Sequence, residues 1–423
     1  MYFDLQRFSL ISQKIKYINK KSTPEKVNSY DSSLSKPYFN ISYQTKSLKG
    51  KLAKKMTVKI NQANSNPSTC CTYADDAIGM TVGSSQWDEF FGFYPCLFLN
   101  GKETKLINPN NYAQAIDKTT LDITSGSSGD VMIAFPRRGL QISTLGDIVT
   151  ITMSSDLDST LPCLAHKRGN TIKDKFYLGA YEGSLVDDKL RSLSGKTALA
   201  SQTLSSFRTY SRANGAPNNN GGSGYDVMGF YQLTYLQAMF ILKYKTLNSQ
   251  SAIGVGFTQG DWSSSARFAT TGNTNTKGLN YGSANHEQVK VFGIEDIFGN
   301  YCDWIDGLYI SSSRNIFTAT QGFNDAGSGY TNQGVGASTD LSGYMTKIQG
   351  TTEKGFLAKA VQGTDSSLYS NTYYCDDSRL IANCIANYGG YFADLSVAGM
   401  FQIHADTAVD YKHMVVGGRL MYL

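Results

Sequence analysis

Apolar runs in this chain are short and are cut at close intervals by Gly, Asn and Pro, and that punctuation limits the possible folds more than any single motif does. Residues 91–109, FGFYPCLFLNGKETKLINP, place Asn100 and Gly101 between two apolar stretches, which predicts a hairpin closed by a tight turn. Residues 129–155, GDVMIAFPRRGLQISTLGDIVTITMSS, read as two or three short strands. Charged residues make up only 17% of the chain and glycine supplies 41 positions, a balance that favours a turn-rich β protein with long ordered loops over a helical bundle. Two helices interrupt the pattern. Residues 201–214 place Leu204, Phe207, Tyr210 and Ala213 at three-residue steps and stop before Gly215. A second helix, with Asp226 as its cap, carries Met228, Tyr231, Leu233, Tyr235, Leu236, Met239 and Phe240 on a wide apolar face. From Lys245 to Gly293 few periodicities survive, so a long loop region is expected.

The net charge of +5 hides a partition. Residues 1–60 hold 13 Lys or Arg against three acids, while the remainder holds 26 against 31. A basic arm over 1–66, ending in the linker-like NQANSNPST, suits an acidic partner surface or nucleic acid, or is a solvated tail. No uninterrupted apolar segment with a small-residue cleavage site opens the chain, and the most apolar stretch, 230–244, is too short and too polar to cross a bilayer, so no membrane insertion is expected. The closing apolar run predicts that the end of the chain lies inside a fold. Seven cysteines show neither CxxC nor Cys/His ligand spacing; only Cys70 and Cys71 are adjacent, and most of the seven are expected to be buried small hydrophobes.

Two segments carry a resemblance. GIEDIFGNYCDWIDGLYI (293–310), paired with YGGYFADLSVAGMF and VGGRLMYL near the end, is similar to the C-type-lectin-like fold of the formylglycine-generating family. That family has a G-x-E-D-x-x-G-N-x-x-E-W segment and a terminal G-x-R strand. FYLGAYEGSL, KLRSLSGKT and SSFRTYSRANG resemble phage and prophage proteins of the same fold. The resemblance spans about residues 87–423. It implies an α+β, C-type-lectin-like domain with two helices, short strands and long ordered loops. The division that follows is arm (1–66), β-rich lead-in (67–160) and ligand-binding domain (161–423). Trp304 is then core, and Gly299, Asn300, Gly389, Gly390, Gly417 and Gly418 are turn or close-approach positions. Asp303 and Asp306, with Glu295 and Asp296, either hold a structural calcium ion or cap backbone amides; no other cofactor is expected.

The terminal segment also resembles the targets of diversity-generating retroelements, in which chosen positions between fixed glycines are rewritten to change a binding face. Against the common form of that segment, Gly389, Gly390, Ala398, Gly399 and Phe401 match, while Phe392 replaces Trp and Leu395 replaces Gly. The variable region is then 388–414. Its ligand-binding candidates are Tyr388, Tyr391, Ala393, Asp394, Ser396, Val397, Gln402, His404, Asp406, Asp410, Tyr411, His413 and Met414, which follow a period of neither 2 nor 3.6. Tyr388, Tyr391 and Tyr411 should be exposed anchors, with Asp394, His404, Asp406 and His413 supplying polar contacts. Phe392, Phe401 and Leu420 should be buried. An ordinary surface loop is the competing reading of the same residues.

Together these features imply a virion adhesin that binds a protein or glycan on a bacterial surface through its terminal face. The arm would join other virion proteins, and fibre-tip proteins of this type are often homotrimers. A head-decorating or baseplate protein is the first alternative, suggested by the FDLQRF start. The second is an enzyme acting on thiols or glycans. Formylglycine generation uses a pair of cysteines in the C-terminal region, whereas here no cysteine follows Cys384 and nothing in the sequence near Cys375 or Cys384 identifies an activating neighbour, so no enzyme activity is expected.

Overall fold

A computed structural model describes residues 54–215, 224–265, 267–336, 342–362, 373–375 and 384–423. Most of the basic arm, residues 1–53, lies outside them, as does the side chain of Cys375.

The turn-rich sequence folds chiefly as antiparallel sheet. Strand accounts for 40% and helix for 13%, which overturns the expected α+β, C-type-lectin-like class: this is a mostly β protein. The physical reason lies in the closely spaced Gly and Asn turns, which return the chain after every five to ten residues and leave room for few helices.

The Lys55–Asn61 strand (β1) pairs with Cys71–Asp75 (β2) on one side. On the other it meets Ile148–Ser154 (β8), which pairs in turn with Gly139–Leu145 (β7). A short helix, Ser85–Phe91 (α1), leads into Tyr94–Leu99 (β3) and Lys102–Asn108 (β4). The β3–β4 hairpin turns at Asn100 and Gly101, both with positive φ (51° and 75°), as the Asn-Gly pair predicts. Asn111–Ala115 (β5), Asp130–Pro136 (β6), Lys175–Gly179 (β9), Tyr225–Val227 (β10) and Leu420–Tyr422 (β20) complete a seven-stranded sheet in the order β10-β20-β9-β6-β3-β4-β5. The last strand of the chain thus lies between strands from its middle, and the C-terminus is buried as expected. The described residues from 54 onward fall in one compact unit.

Both expected helices form, with shifted ends. Leu204–Arg212 (α2) is capped by Thr203, whose Oγ1 accepts from the Ser206 N–H at 3.2 Å. Phe230–Tyr244 (α3) starts from Gly229. Asp226 is not its cap: it lies in β10, where Arg212 sits 3.2 Å away. Every residue of α3 from Phe230 to Lys243 is buried, so a wide apolar face understates a helix that is covered on all sides. Its 15 residues leave it short of a membrane span; among the described residues no helix is long and apolar enough to cross a bilayer. A further short helix, Ser249–Ile253 (α4), follows.

The largest sheet carries the candidate site. Cys302–Ile310 (β11), Asn315–Thr318 (β12), Thr331–Val335 (β13), Ser342–Ile348 (β14), Ala358–Gln362 (β15), Tyr373–Cys375 (β16), Cys384–Gly389 (β17) and Gly399–Ala408 (β18) run in the order β13-β12-β11-β17-β18-β16-β14-β15. Val416–Gly417 (β19) adds a short parallel pairing to β11. The strand β17 is therefore central, flanked by β11 and β18.

Candidate ligand-binding groove

The terminal segment is framed as its glycines suggest. Gly389 and Gly390 hold φ of 99° and 79°, and a Cβ on Gly390 would lie 2.6 Å from that of Ala398. Only glycine allows β17 to leave its sheet that closely against the returning chain. The bend closes a loop in which Asp394 Oδ2 accepts from the Tyr391 N–H at 3.1 Å and from Gln402 Nε2 at 3.3 Å. Phe392 packs inward against Trp262 and Phe268, each with ring centroids 4.8 Å away. Phe392, Phe401 and Leu420 are all buried, matching their expected anchor roles.

Strand alternation then sorts the candidates. Along β18, Gln402, His404 and Asp406 recur at a period of two, although the whole set shows no period. His404 and Asp406 are half-buried and flank the buried Ala405; Gln402 is fully buried, against expectation. Its Nε2 lies 2.9 Å from His404 Nε2, so it supports the site from beneath. Tyr388 is the second correction. It is only 1% exposed, because β17 is a central strand and this position pairs with Asp303 on β11, facing the buried Arg419.

Four candidates converge on one groove of about 340 Å³: Tyr391, His404, Asp406 and Tyr411. Tyr411 is the exposed tyrosine, at 40%, stacked beside His413 with ring centroids 6.2 Å apart. Sequence reasoning missed the rest of the lining. Asn387 stands opposite His404 in the β17–β18 register and donates through Nδ2 to Thr407 Oγ1 at 3.1 Å. Thr407 and Ala408 extend β18, while Val415, Val416 and Cys302 supply apolar surface. The neighbours of His404 and Asp406 could have been found by extending the strand; Cys302, about a hundred residues away, gives no local signal. Ala393, Asp394 and Val397 are half-buried beside the groove. Ser396, Asp410, His413 and Met414 are exposed but outside its lining.

Burial sets the electrostatics. It raises the Asp394 carboxyl to about 6, against hydrogen bonds from Tyr391 and Gln402 that favour the charged form. His404 is pushed below its ordinary value by burial, opposed by Asp406, and is neutral at pH 7. Burial and neighbouring acidic groups also raise Tyr391 and Tyr411, so both keep their hydroxyl protons. The Cys302 thiol is held well above its usual range, chiefly by burial, which deprives the groove of a thiolate nucleophile. Cys384 is buried in β17.

The four carboxylates considered for calcium are each engaged by protein groups. Asp303 pairs with Arg419 at 3.2 Å and Asp306 with Arg208 at 2.6 Å. Glu295 accepts from the N–H groups of Gly272 and Thr274, and Asp296 from Gln288 and Asn300. Among the described residues no group of three or more His, Cys, Asp or Glu side chains is placed to hold a metal ion. Arg419, from the terminal GGRL, is fully buried: it also reaches Glu182 at 3.1 Å and donates to the carbonyls of Gly179, Glu295 and Asp296.

No protein-family model matches the chain, and a search of curated proteins found no match.

Proposed function

We propose that this chain is a non-covalent binding protein, a virion adhesin whose receptor enters the groove beside the terminal segment, with the basic arm as its attachment to the particle. One observation carries the reading. Residues singled out as an irregular, glycine-framed stretch of sequence meet in one concavity: Tyr391 from the loop, His404 and Asp406 from β18, and Tyr411 from the following turn. Its volume of about 340 Å³ lies within the range of small-ligand sites, about 300–1,000 Å³. A paired aromatic lining offers contact area at low entropic cost. The chemistry favours binding over catalysis, since the thiol in the groove is protonated and the imidazole beside it is held by an amide.

The test is adsorption of the purified full chain to host cells. The double variant Tyr391→Ala, Tyr411→Ala should lose at least tenfold in adsorption with its unfolding transition retained; parental adsorption by the folded variant sinks the reading. Diversification of residues 388–414 has its own test. A near-copy of those codons differing at adenines, beside a reverse transcriptase gene, supports it, and a locus lacking both leaves an adhesin with a fixed face.

A further inference from the structure

Away from the groove, a lysine, a carboxylate and a carboxamide meet around one buried ion pair. Lys243 ends the buried run of α3 and Asp88 lies on α1, with Lys243 Nζ 2.6 Å from Asp88 Oδ1. The Lys243 side chain is only 1% exposed, whereas the other lysines paired with acids among the described residues are 35–58% exposed. The second oxygen of the same carboxylate, Oδ2, accepts from Asn280 Nδ2 at 3.0 Å. Asn280 Oδ1 in turn accepts from the Phe292 N–H at 3.1 Å, so the carboxamide is held at both ends. Aromatic side chains stand close by. The Tyr244 ring centroid is 5.7 Å from Lys243 Nζ, and Phe91 of α1 packs on Phe292 with ring centroids 5.7 Å apart. Burial disfavours both charges of the pair. It lowers the Lys243 ammonium, opposed by Asp88, and raises the Asp88 carboxyl, opposed by Lys243 and Asn280, so the two shift toward a free amine and a carboxylic acid. A desolvated lysine amine is a nucleophile, and an adjacent carboxyl can carry its proton. An ionised carboxylate is a poor acceptor for an amine. The Asn280 carbonyl is neutral, and the Phe292 N–H points at the oxygen on which negative charge develops during attack.

We infer that Lys243 and Asn280 join in an intramolecular amide cross-link, with Asp88 as the acid and base of the reaction. Asp88 takes a proton from the Lys243 ammonium and leaves a free amine. Nζ adds to Asn280 Cγ, and the Asp88 carboxyl gives its proton to Nδ2 as it takes one from Nζ. The Nζ–Cγ bond forms, the Cγ–Nδ2 bond breaks and ammonia leaves; nothing is oxidised or reduced. The bond ties α3 to the long connection that also carries Gly260, whose N–H donates to the Phe392 carbonyl of the terminal segment at 2.6 Å. It does not depend on what the groove binds.

The experiment measures the intact mass of the purified, folded full chain and then maps its proteolytic peptides. The expected result is a mass below that of the sequence by one ammonia, with a branched peptide that joins Lys243 to Asn280. Asn280→Ala and Asp88→Ala should each give the full mass of their own sequences and linear peptides only. Should either variant fail to fold, the parent chain decides alone. A parent at full mass after folding and incubation at neutral pH overturns the inference, since an ion pair forms no covalent bond. So does an ammonia loss that maps to a linear peptide, as a succinimide at Asn100-Gly101 would give, or a loss of water with Lys243 joined to Asp88. A branched peptide that persists in the folded Asp88→Ala variant overturns the role given to that carboxyl.

Discussion

Cys302 and Asp303 are neighbours on β11, as are Asn387 and Tyr388 on β17, yet each pair divides between two environments of opposite character. Cys302 and Asn387 line the groove. Asp303 and Tyr388 face the closed network around Arg419 and Glu182. A one-residue step along a strand reverses the direction of a side chain, so two adjacent strands build both regions from alternating positions. The closed region fixes the scaffold through buried charges that cannot change singly. The open region presents side chains whose replacement leaves those charges paired. Such a division would let a terminal segment change its ligand without changing its fold.

Arg419 gives the largest effect. Replacing it as Arg419→Met leaves Glu182 and Asp303, both almost fully buried, without their cation, and should cost about 3–5 kcal/mol in urea unfolding. The sign with pH follows from Glu182, whose carboxyl burial and the nearby Asp303 hold well above its ordinary value. A raised carboxyl contributes stability at low pH and loses it as pH rises through its folded value, so the defect of the variant should shrink on acidification. A cost below about 1 kcal/mol would mean that the network is not what fixes the scaffold.

On the open side the ranking of effects should reverse. Tyr411→Ala should reduce binding by about 2 kcal/mol, measured as affinity for host cells, while stability changes by less than about 0.5 kcal/mol. A large stability loss with binding intact would place Tyr411 with the scaffold and break the comparison.

Asp394 lies beside the groove, accepting from the Tyr391 N–H and from Gln402. Burial raises its carboxyl to about 6, so its contribution to stability is complete below the ordinary carboxylate range and is lost as pH rises through about 6. Asp394→Asn should flatten that part of the stability profile, a change on the order of 1–2 kcal/mol between pH 4 and 7. An unchanged slope would show that the titrating group lies elsewhere.

Much of this organisation was legible in local sequence. The Asn100-Gly101 hairpin and the two principal helices follow from turn chemistry and periodicity, while the inward Phe392, Phe401 and Leu420 follow from their anchor positions in the segment that the terminal stretch resembles. The fold class did not follow, because the motif resemblance weighted two helices over the many short strands around them. The burial of Tyr388 and Gln402 was equally hidden. It depends on which strands flank β17 and β18: Tyr388 is covered by its pairing with the distant Asp303, and Gln402 lies on a strand held between β17 and the non-consecutive β16, neither of which leaves a local pattern. Asp226 shows the same limit: a good capping residue by type, it instead completes an ion pair with Arg212.

Tyr388 supplies the smallest and most discriminating test. Its hydroxyl is buried and has no hydrogen-bond partner among the described residues, close to the carboxylates of Asp303 and Glu182 that, with burial, raise it well above its ordinary range. Leaving a buried hydroxyl unpaired costs about 1–3 kcal/mol, so removing the oxygen while keeping the ring should lose little and could return part of that cost. Tyr388→Phe should therefore shift stability by no more than about 1 kcal/mol, in the stabilising direction, and leave ligand binding unchanged, since the ring faces the scaffold. A melting temperature that falls instead would show that the hydroxyl is satisfied within the Arg419 network, making Tyr388 a working member of it. Weakened binding at parental stability would mean that Tyr388 communicates with the groove across β17, and the separation of the two faces by a one-residue step would fail at the position where it is drawn most sharply.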